Sequence, residues 1–226
     1  MLVLVLDSST PAVTAALAQV TADGVAVRAE RRTVDARAHG ELLAPQIAAV
    51  LAEADLRPRD LAAVVAGLGP GPFTGLRVGL VTAASMSQVL GIPAYGVCSL
   101  DALGHAAAGP DERVLAASDA RRREIYWAVY DGDRTRLVGP AVNAPAAVAA
   151  QVKELNVDVA VGEGAQRYAD LLGLPVRSEP RYPSTHHLAG LAADRIRAQA
   201  PSERLTPLYL RRPDAVATTA RKPVLP

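Results

Sequence analysis

A loop rich in glycine and proline is the part of this sequence whose residue types come closest to a binding chemistry. Residues 67–77 read GLGPGPFTGLR, between an apolar run and a segment with helical periodicity. Such a loop holds phosphate when free N–H groups and the dipole of the following helix point at the anion. Here Pro70 and Pro72 each delete a backbone donor, and the lysine of the P-loop pattern has no substitute nearby. The sequence therefore favours a structural elbow, with Thr74 and Gly75 as the remaining candidates for contact with an anion.

The end of the first apolar run offers a second candidate for cofactor chemistry. Asp7 is followed by Ser8, Ser9 and Thr10, and a carboxylate beside hydroxyls can hold a hydrated Mg²⁺ next to a nucleotide. An aspartate at a strand end is, however, commonly a turn former. Asp7 and Thr10 stay candidates for cofactor contact. Because the glycine loop lacks its donors, we expect the chain alone to hold no cofactor.

The histidines and the single cysteine argue against a metal centre or a nucleophilic enzyme. A second ligand on the helix of His39 would stand one turn later, where the sequence has Leu43. His186 and His187 are adjacent, so on a helix they point about 100° apart. Cys98 lies in a predicted strand and is expected to be a small core residue. We therefore predict no catalytic residue and no metal ligand.

The helix after the loop carries a stripe of small residues at four-residue spacing. Gly75, Gly79, Ala83 and Ser87 form this stripe, and glycine inside a helix costs about 1 kcal/mol relative to alanine. Close approach of another backbone is the usual compensation. One interpretation is packing against the protein's own sheet. The other is that a second face of this helix, beside the preceding helix, meets the helices of a partner.

Apolar periodicity around these residues predicts a mixed α/β chain. In the first half we predict helices at residues 39–56 and 74–90. The first should start late or kink, because Pro45 falls within its first two turns. The strands predicted for this half are 2–6, 12–20, 25–34, 61–68 and 92–98.

The second half shows a similar order of predicted elements. Its predicted strands are 114–118, 125–130, 134–138 and 157–161, and its predicted helices are 145–153, 165–172 and 186–200. Three antiparallel strands followed by helix, strand and helix thus occur twice. This repetition indicates two related lobes that meet near residue 103.

Composition limits the classes of function. The 226 residues are 50% hydrophobic and 21% charged, which excludes a disordered chain. The net charge is +1, whereas a protein that binds nucleic acid unaided usually has a strong basic excess. One cysteine suits a reducing compartment, and no apolar run approaches the roughly 18 residues of a membrane span. With no basic leader before the first apolar run, we expect a cytoplasmic protein without membrane contact.

Three basic clusters stay open as auxiliary contacts with RNA. They are Arg121–Arg123, Arg211–Arg212 and Arg221–Lys222. Most such runs are solvated faces, so the sequence assigns RNA contact to none of them on its own.

Several motifs together resemble one known family. The central match is GLGPGPFTGLRVGLVTAASM with the following GIPAYGVCSLDAL, supported by LDSSTPAVTAAL near the start, HGELLAP at 39–45, SDARRREIYWAVYD at 118–131, VGEGAQRY at 161–168 and PLYLR at 207–211. Over nearly its whole length the chain resembles the bacterial TsaB (YeaZ) proteins. It departs from the family pattern at Pro72, where the family usually has serine.

The resemblance implies an actin/hexokinase-like fold with an N-terminal lobe at residues 1–103 and a C-terminal lobe at 104–226, whose last helix can pack back on the first lobe. It implies a non-catalytic subunit that binds the catalytic paralogue TsaD and, with the ATPase TsaE, supports threonylcarbamoyl transfer to the adenosine beside the anticodon of tRNA. ATP and a metal are then handled by the partner subunits. The same helices can form a homodimer when the paralogue is absent.

The family's interface is formed by the two helices that here span residues 39–56 and 74–90. The interface residues that the resemblance implies are His39, Leu42, Leu43, Gln46, Gly71, Phe73, Thr74, Gly75, Arg77, Val78, Gly79, Thr82, Ala83 and Met86. Two other classes stay open beside this one. An ATP-binding enzyme of the same fold, or a glycoprotease-like hydrolase, predicts tight binding of ATP and Mg²⁺ by the isolated chain. A self-sufficient RNA-binding module predicts tRNA affinity that falls steeply with salt.

Overall fold

The computed structural model describes residues 1–211, which form two β-sheets with helices packed on both. The strands of the first sheet are β1 (Leu2–Asp7), β2 (Ala12–Val20), β3 (Val25–Val34), β4 (Ala63–Gly67) and β5 (Ala94–Val97). They lie in the order β3-β2-β1-β4-β5. β1 is antiparallel to β2 and parallel to β4, and β4 is parallel to β5. The carboxyl ends of β1, β4 and β5 therefore meet at one edge of the sheet.

The second sheet repeats this plan with one strand fewer. Its strands are β6 (Val114–Asp119), β7 (Ile125–Tyr130), β8 (Arg136–Asn143) and β9 (Val159–Val161). They lie in the order β8-β7-β6-β9, with β6 antiparallel to β7 and parallel to β9. Each sheet is thus an antiparallel three-stranded unit with parallel pairing on the other side of its first strand.

Seven α-helices lie within the described residues. They are α1 (His39–Glu53), α2 (Phe73–Leu90), α3 (Ser99–Ala107), α4 (Pro145–Glu154), α5 (Glu163–Arg167), α6 (Ala169–Leu172) and α7 (Thr185–Arg197). Among residues 1–211, none combines the length and apolar content needed to cross a membrane.

Helices cover both faces of the first sheet. Leu4 and Leu6 of β1 pack in one cluster with residues of α1 and α2, while Val3 and Val5 pack in another with residues of α7. Alternate side chains of a strand point to opposite faces, so β1 needs apolar residues at every position. This double burial is why β1 reads as a continuous apolar run.

The second sheet is also covered on both faces. Leu100 and Leu103 of α3 pack with residues of β6, β7 and β9 on one side. Val148 and Val152 of α4 pack on the other side with residues of α5 and α6. α3 connects the two sheets, and residue 103 lies inside it. The lobe boundary near residue 103 stays a prediction.

The mixed α/β class and the actin/hexokinase-like two-sheet order are confirmed. The late start of α1, the bounds of β8 and the single helix at 165–172 are wrong, and one helix was missed. α1 begins at His39 without a late start, because His39 and Leu43 are buried and hold its first turns against the interior. The sequence pattern does not predict α3. The strand predicted at 134–138 is β8, which starts later because Asp131 closes a turn by accepting the N–H of Thr135. The helix predicted at 165–172 is two short helices that meet at Tyr168.

Candidate functional site

The Asp7 carboxylate, at the carboxyl end of β1, is held by donors from its own chain. Oδ2 accepts the hydroxyl of Ser99 at 2.6 Å. Oδ1 accepts the hydroxyl of Ser9 at 2.8 Å and the N–H of Ser9 at 3.1 Å. Asp7 is only 2% exposed, and burial raises the pKa of its carboxyl above the ordinary 3.8, more than the donors of Ser99 and Ser9 lower it. A metal could reach this group only if these bonds opened.

The strand order explains how Ser99 reaches Asp7. β4 lies between β1 and β5 and ends in Gly67, while Ser99 follows β5 by two residues. A Cβ on Gly67 would stand 1.8 Å from Oδ2 of Asp7 and 2.6 Å from Oγ of Ser99. Only glycine at this position leaves room for the two side chains to meet across the middle strand.

The glycine- and proline-rich loop packs against the same group of residues. Gly69 donates its N–H to Oγ of Ser99 at 3.2 Å, and its carbonyl accepts the N–H of Ser99 at 2.8 Å. A Cβ on Gly71 would stand 2.1 Å from the carbonyl oxygen of Ser9. The loop therefore lies directly on the end of β1, in the manner of a structural elbow.

The other candidates for cofactor contact are placed differently. Thr10 is buried, and its hydroxyl accepts the N–H of Ala12 at 3.2 Å. Gly75 is buried beside His39, whereas Thr74 is exposed. Of Asp7, Thr10, Thr74 and Gly75, only Thr74 is open to a ligand as the chain stands.

The small-residue stripe of α2 faces the protein's own interior. Gly75, Gly79 and Ala83 are buried, and the Ser8 hydroxyl donates to the carbonyl of Gly75 at 2.8 Å while accepting the N–H of Gly79 at 3.0 Å. A Cβ on Gly79 would lie 2.4 Å from Oγ of Ser8. Intramolecular packing, rather than a partner, therefore accounts for the two glycines.

Half of the predicted interface residues are buried in the chain's own interior. His39, Leu43, Gln46, Gly71, Gly75, Gly79 and Ala83 are buried; Leu42, Val78, Thr82 and Met86 are half-buried; Phe73, Thr74 and Arg77 are exposed. His39 Nε2 lies 2.8 Å from the carbonyl oxygen of Thr10, and Gln46 donates to the hydroxyl of Thr33 on β3 at 3.0 Å. Leu42 is one helical turn before Gln46 and so shares its side of α1. Only the outward members can touch a partner without a rearrangement.

Exposed and half-buried uncharged residues remain on the outer sides of the two helices. We name this group the α1–α2 face; its residues, chosen by helical spacing and exposure, are Gly40, Ala44 and Ala48 of α1 and Val78, Val81, Thr82, Ser85 and Val89 of α2. Val81 is 64% and Val89 84% exposed. Among the 18 residues of α2, Arg77 alone is charged. Exposed apolar residues grouped in this way make the α1–α2 face a candidate interaction surface.

An aromatic clamp holds the C-terminal segment on the first turn of α2. The rings of Phe73 and Tyr209 stack with centroids 5.0 Å apart. The Arg77 guanidinium lies 3.6 Å from the Phe73 centroid, and its Nε donates to the Tyr209 hydroxyl at 2.9 Å. The N–H of Leu208 donates to the carbonyl of Leu68 at 2.9 Å. Phe73 and Arg77, both in the predicted interface, are therefore engaged with the protein's own chain.

Burial has the largest effect on the pKa values of Cys98 and His187. Among residues 1–211, no group of three or more His, Cys, Asp or Glu side chains is arranged to hold a metal ion. Cys98 is buried, and burial raises the pKa of its thiol to about 12. Burial and the neighbouring His186 lower the pKa of His187 to about 4. A buried, protonated thiol is a poor nucleophile.

Two basic clusters lie at least partly within the described residues. Arg121–Arg123 form the turn between β6 and β7. Arg211 of the second cluster donates to the carbonyl of Ala120 in that turn at 3.0 Å, whereas Arg212 and the cluster Arg221–Lys222 lie outside the described residues. The structure thus brings the first cluster and Arg211 together.

Sequence reasoning missed Ser99 and Tyr209. Ser99 is recognisable only once β1, β4 and β5 are known to be adjacent, with a glycine ending the middle strand. Tyr209 lies 132 residues from Arg77 along the chain, and no local pattern connects the two.

Comparison with known proteins gives a consistent set of relatives. The model of the TsaD family, tRNA N6-adenosine threonylcarbamoyltransferase, matches residues 32–207. An uncharacterized protein of Mycobacterium tuberculosis is 52% identical over 94% of this chain and 93% of its own length. The tRNA threonylcarbamoyladenosine biosynthesis protein TsaB of Escherichia coli is 33% identical over 60% of this chain and 62% of its own. The structure of YeaZ from Pseudomonas aeruginosa superposes with a TM-score of 0.75 at 27% identity, covering 92% of this chain and 99% of that one.

Proposed function

The chain belongs to the TsaD-related family as a TsaB/YeaZ member, as its motifs predict, and we propose that it is a non-catalytic assembly subunit that binds a TsaD-like catalytic paralogue. Its relatives are named for tRNA threonylcarbamoyladenosine biosynthesis, and the chain has a role in that process. In this proposal the subunit supports threonylcarbamoyl transfer to the adenosine beside the anticodon of tRNA.

The observation that carries the proposal is the α1–α2 face. Soluble proteins rarely leave a contiguous apolar surface open to water unless it is used. Ala44, Ala48 and Gly40 on α1 are small, so the helices of a partner can approach closely. Val81 and Val89 project from α2 and provide apolar area to bury. Two helices of a partner packed on α1 and α2 would form a four-helix arrangement with ordinary helix-packing angles.

The internal bonding at the end of β1 supports a role without catalysis. The carboxylate of Asp7 is occupied by hydroxyls of Ser9 and Ser99. The loop that would cradle phosphate carries Pro70 and Pro72 and lies against Ser9 and Ser99. The groups that the sequence offers for contact with a nucleotide are thus used to stabilise the chain itself.

The remaining partners follow from the same proposal. ATP and a metal would be handled by the paralogue and by a TsaE-like ATPase that joins the pair, and tRNA would be bound by the complex. Without the paralogue, the α1–α2 face would pair with a second copy of itself to form a homodimer. We infer a cytoplasmic location because tRNA modification is the process in which the relatives are named.

Charge placed on the α1–α2 face tests the proposal. Val81→Arg puts a guanidinium on the α1–α2 face, on a side chain that is already 64% exposed, so the fold should tolerate it. An unpaired charge buried at an interface costs about 3–5 kcal/mol, which corresponds to a loss of affinity of about 2–4 decades. Co-expression with the tagged paralogue from the same genome, followed by titration of the purified subunits, measures the loss.

Leu171→Arg is the matched control. Leu171 is an exposed apolar residue on α6, 54% accessible, and the same substitution there should leave binding unchanged. Gly79 and Ala83 are unsuitable for this test because both are buried in the chain's own interior. Unaltered affinity of Val81→Arg would show that the partner docks elsewhere. Light scattering of the isolated chain tests the homodimer, since Val81→Arg should then be monomeric.

A further inference from the structure

The turn between β6 and β7 holds three consecutive arginines in a backbone conformation that disfavours them. Arg121, Arg122 and Arg123 have φ angles of 62°, 52° and 61°. The left-handed region costs an L-residue about 1–2 kcal/mol relative to the right-handed one, and glycine escapes this cost. Local backbone energy would therefore select glycine at these positions. The local backbone energy of the turn therefore does not account for arginine at these three positions.

The surrounding structure fixes the turn and adds two further arginines. The hydrogen-bond ladder between β6 and β7 continues to the base of the turn, where Ala120 donates its N–H to the carbonyl of Glu124 at 2.9 Å. Arg211 donates to the carbonyl of Ala120 at 3.0 Å and pairs with Glu124. Arg167 of α5 pairs with Asp119 at 3.1 Å, and 59% of its side chain is exposed. Arginines from three separate segments thus converge on one end of the second sheet.

The carboxylates at this end lie deeper than the arginines. Asp119 is 6% and Glu163 9% exposed, and the N–H of Asp119 donates to Oε1 of Glu163 at 2.9 Å. Glu124 is half-buried and already paired with Arg211. Arg121, Arg122 and Arg123 are exposed, whereas Asp119, Glu124 and Glu163 are buried or half-buried. We name this group, Arg121–Arg123 with Arg167 and Arg211, the arginine turn.

The arginine turn lies near the end of α2 that borders the α1–α2 face. Tyr209 stacks on Phe73 in the first turn of α2, and Arg211 contacts Ala120 in the arginine turn. Two residues of extended chain span at most about 7 Å. A polyanion at the arginine turn would therefore lie beside a subunit docked on the α1–α2 face.

We propose that the arginine turn binds the phosphate backbone of the RNA substrate. This inference rests on the proposed function, because it adds a substrate contact to the assembled subunit. Guanidinium groups bind phosphate oxygens in a bidentate manner, and backbone contacts position RNA without reading its sequence. Because the net charge of the whole chain is only +1, the arginine turn supplies a local contact with RNA. This contact adds to the affinity of the partner subunit for the same RNA.

Replacing the three arginines of the turn by glycine tests the assignment while protecting the fold. In the variant Arg121→Gly, Arg122→Gly, Arg123→Gly each glycine suits the left-handed backbone, so the chain should still fold, which circular dichroism checks. The affinity for an unmodified tRNA transcript, measured by fluorescence anisotropy at low salt, should fall about tenfold or more. The slope of log affinity against log salt should become shallower by about 2.

The matched control removes the same charge elsewhere. Arg28, Arg57 and Arg59 are exposed residues of the first lobe, and their replacement by alanine should change the affinity and the slope far less. An equal loss in both triple variants would mean that only net charge matters, and no loss in the glycine variant would mean that the turn does not touch RNA. Either result overturns the assignment. Displacement of the tRNA by equimolar pyrophosphate would also overturn it, in favour of a site for a small phosphate.

Two measurements separate this inference from the proposed function. Anisotropy is recorded with the isolated full chain and again with the complex formed with the paralogue, and gel filtration scores assembly independently. If the wild-type chain does not assemble with the paralogue but the glycine variant still loses RNA affinity, the proposed function alone is contradicted. Normal assembly with unchanged RNA affinity in that variant contradicts the arginine turn alone.

Discussion

Oγ of Ser8 lies 3.0 Å from the backbone nitrogen of Gly79 and accepts its N–H where α2 passes the end of β1. The same hydroxyl donates to the carbonyl of Gly75, so Ser8 bridges two groups that a regular helix would join directly. This contact fixes the height of α2 above the first sheet. The uncharged outer side of α2 is open to a partner because its glycine side is fully used inward.

Gly79→Ala should therefore destabilise the chain although alanine favours helices. The added Cβ would stand 2.4 Å from Oγ of Ser8, and overpacking of this kind costs about 1–3 kcal/mol. Urea unfolding followed by circular dichroism measures the loss of unfolding free energy. A rise in stability would show that α2 can move away from β1 without cost.

Two companion variants make this test specific. Ser8→Ala with Gly79→Ala removes the clashing oxygen and leaves Cβ of residue 8 at 3.3 Å from the new Cβ, a tight contact that a small shift relieves, so part of the lost stability should return. Gly190→Ala in α7 has open space around it, so it should stabilise the chain by up to about 1 kcal/mol. A loss at both glycines would point to a general effect on helices.

Asp7→Asn should change the pH dependence of stability. The folded-state pKa of Asp7 is raised above 3.8 mainly by burial, so the folded chain holds this proton more tightly than the unfolded chain. The wild type therefore has its full contribution from this group below pH 3.8 and loses it as pH rises through the folded pKa. The asparagine carries no such proton, so the stability of the variant relative to the wild type should increase over that range.

Unfolding titrations between pH 3.5 and 8 measure this difference. Oδ1 of the asparagine can still accept both donors of Ser9, and its amide can donate to Ser99, so the fold should persist. A difference that stays constant over the whole range would mean that the carboxyl titrates alike in both states. A difference of opposite slope would mean that its donors outweigh its burial.

Much of the fold follows from local pattern, because burial on both faces leaves an unmistakable apolar run. Leu2–Asp7 and Ala63–Gly67 are such strands, and Asp23-Gly24 marks the hairpin between β2 and β3. α3 escaped prediction because the segment Ser99–Ala107 is only nine residues long, shorter than the window over which helical periodicity is read.

The candidate site was harder to predict because it depends on contacts between distant residues. The glycine stripe of α2 is visible in the sequence. Its inward orientation depends on contact with Ser8, which lies 71 residues before Gly79 in the chain. His39 and Gln46 occupy predicted interface positions but bond to Thr10 and Thr33 within the same chain. Helical spacing gives the faces of a helix, whereas the orientation of those faces is set by the sheet below.

Cys98 should resist thiol reagents in the folded chain. Burial raises the pKa of its thiol from 9.0 to about 12, so at neutral pH its thiolate is about a thousandfold rarer than that of an ordinary thiol. Reaction with a disulfide reagent at pH 8 should be slow, and it should become fast in concentrated denaturant. Fast reaction in native buffer would mean that the end of β5 opens readily.

Tyr209 should control how firmly the C-terminal segment is held beside α2. Its ring stacks on Phe73 and its hydroxyl accepts the Arg77 Nε–H, and an aromatic pair contributes about 1 kcal/mol beyond its buried area. In Tyr209→Ala the amide of Leu208, which donates to the carbonyl of Leu68, should exchange its hydrogen about fivefold faster or more, since 1 kcal/mol changes an opening equilibrium by that factor.

Tyr209→Phe separates the stack from the hydrogen bond, because it retains the ring and removes only the acceptor for Arg77. Its exchange rate at Leu208 should lie between those of the wild type and Tyr209→Ala, whereas amides in the centre of β1 should be unchanged in both. Equal exchange at Leu208 in all three proteins would mean that the backbone bonds of Glu203 and Leu208 to the first sheet hold the segment without the clamp. The clamp also covers one side of Phe73, so its loss should expose apolar surface at the end of α2 and raise the binding of a hydrophobic dye.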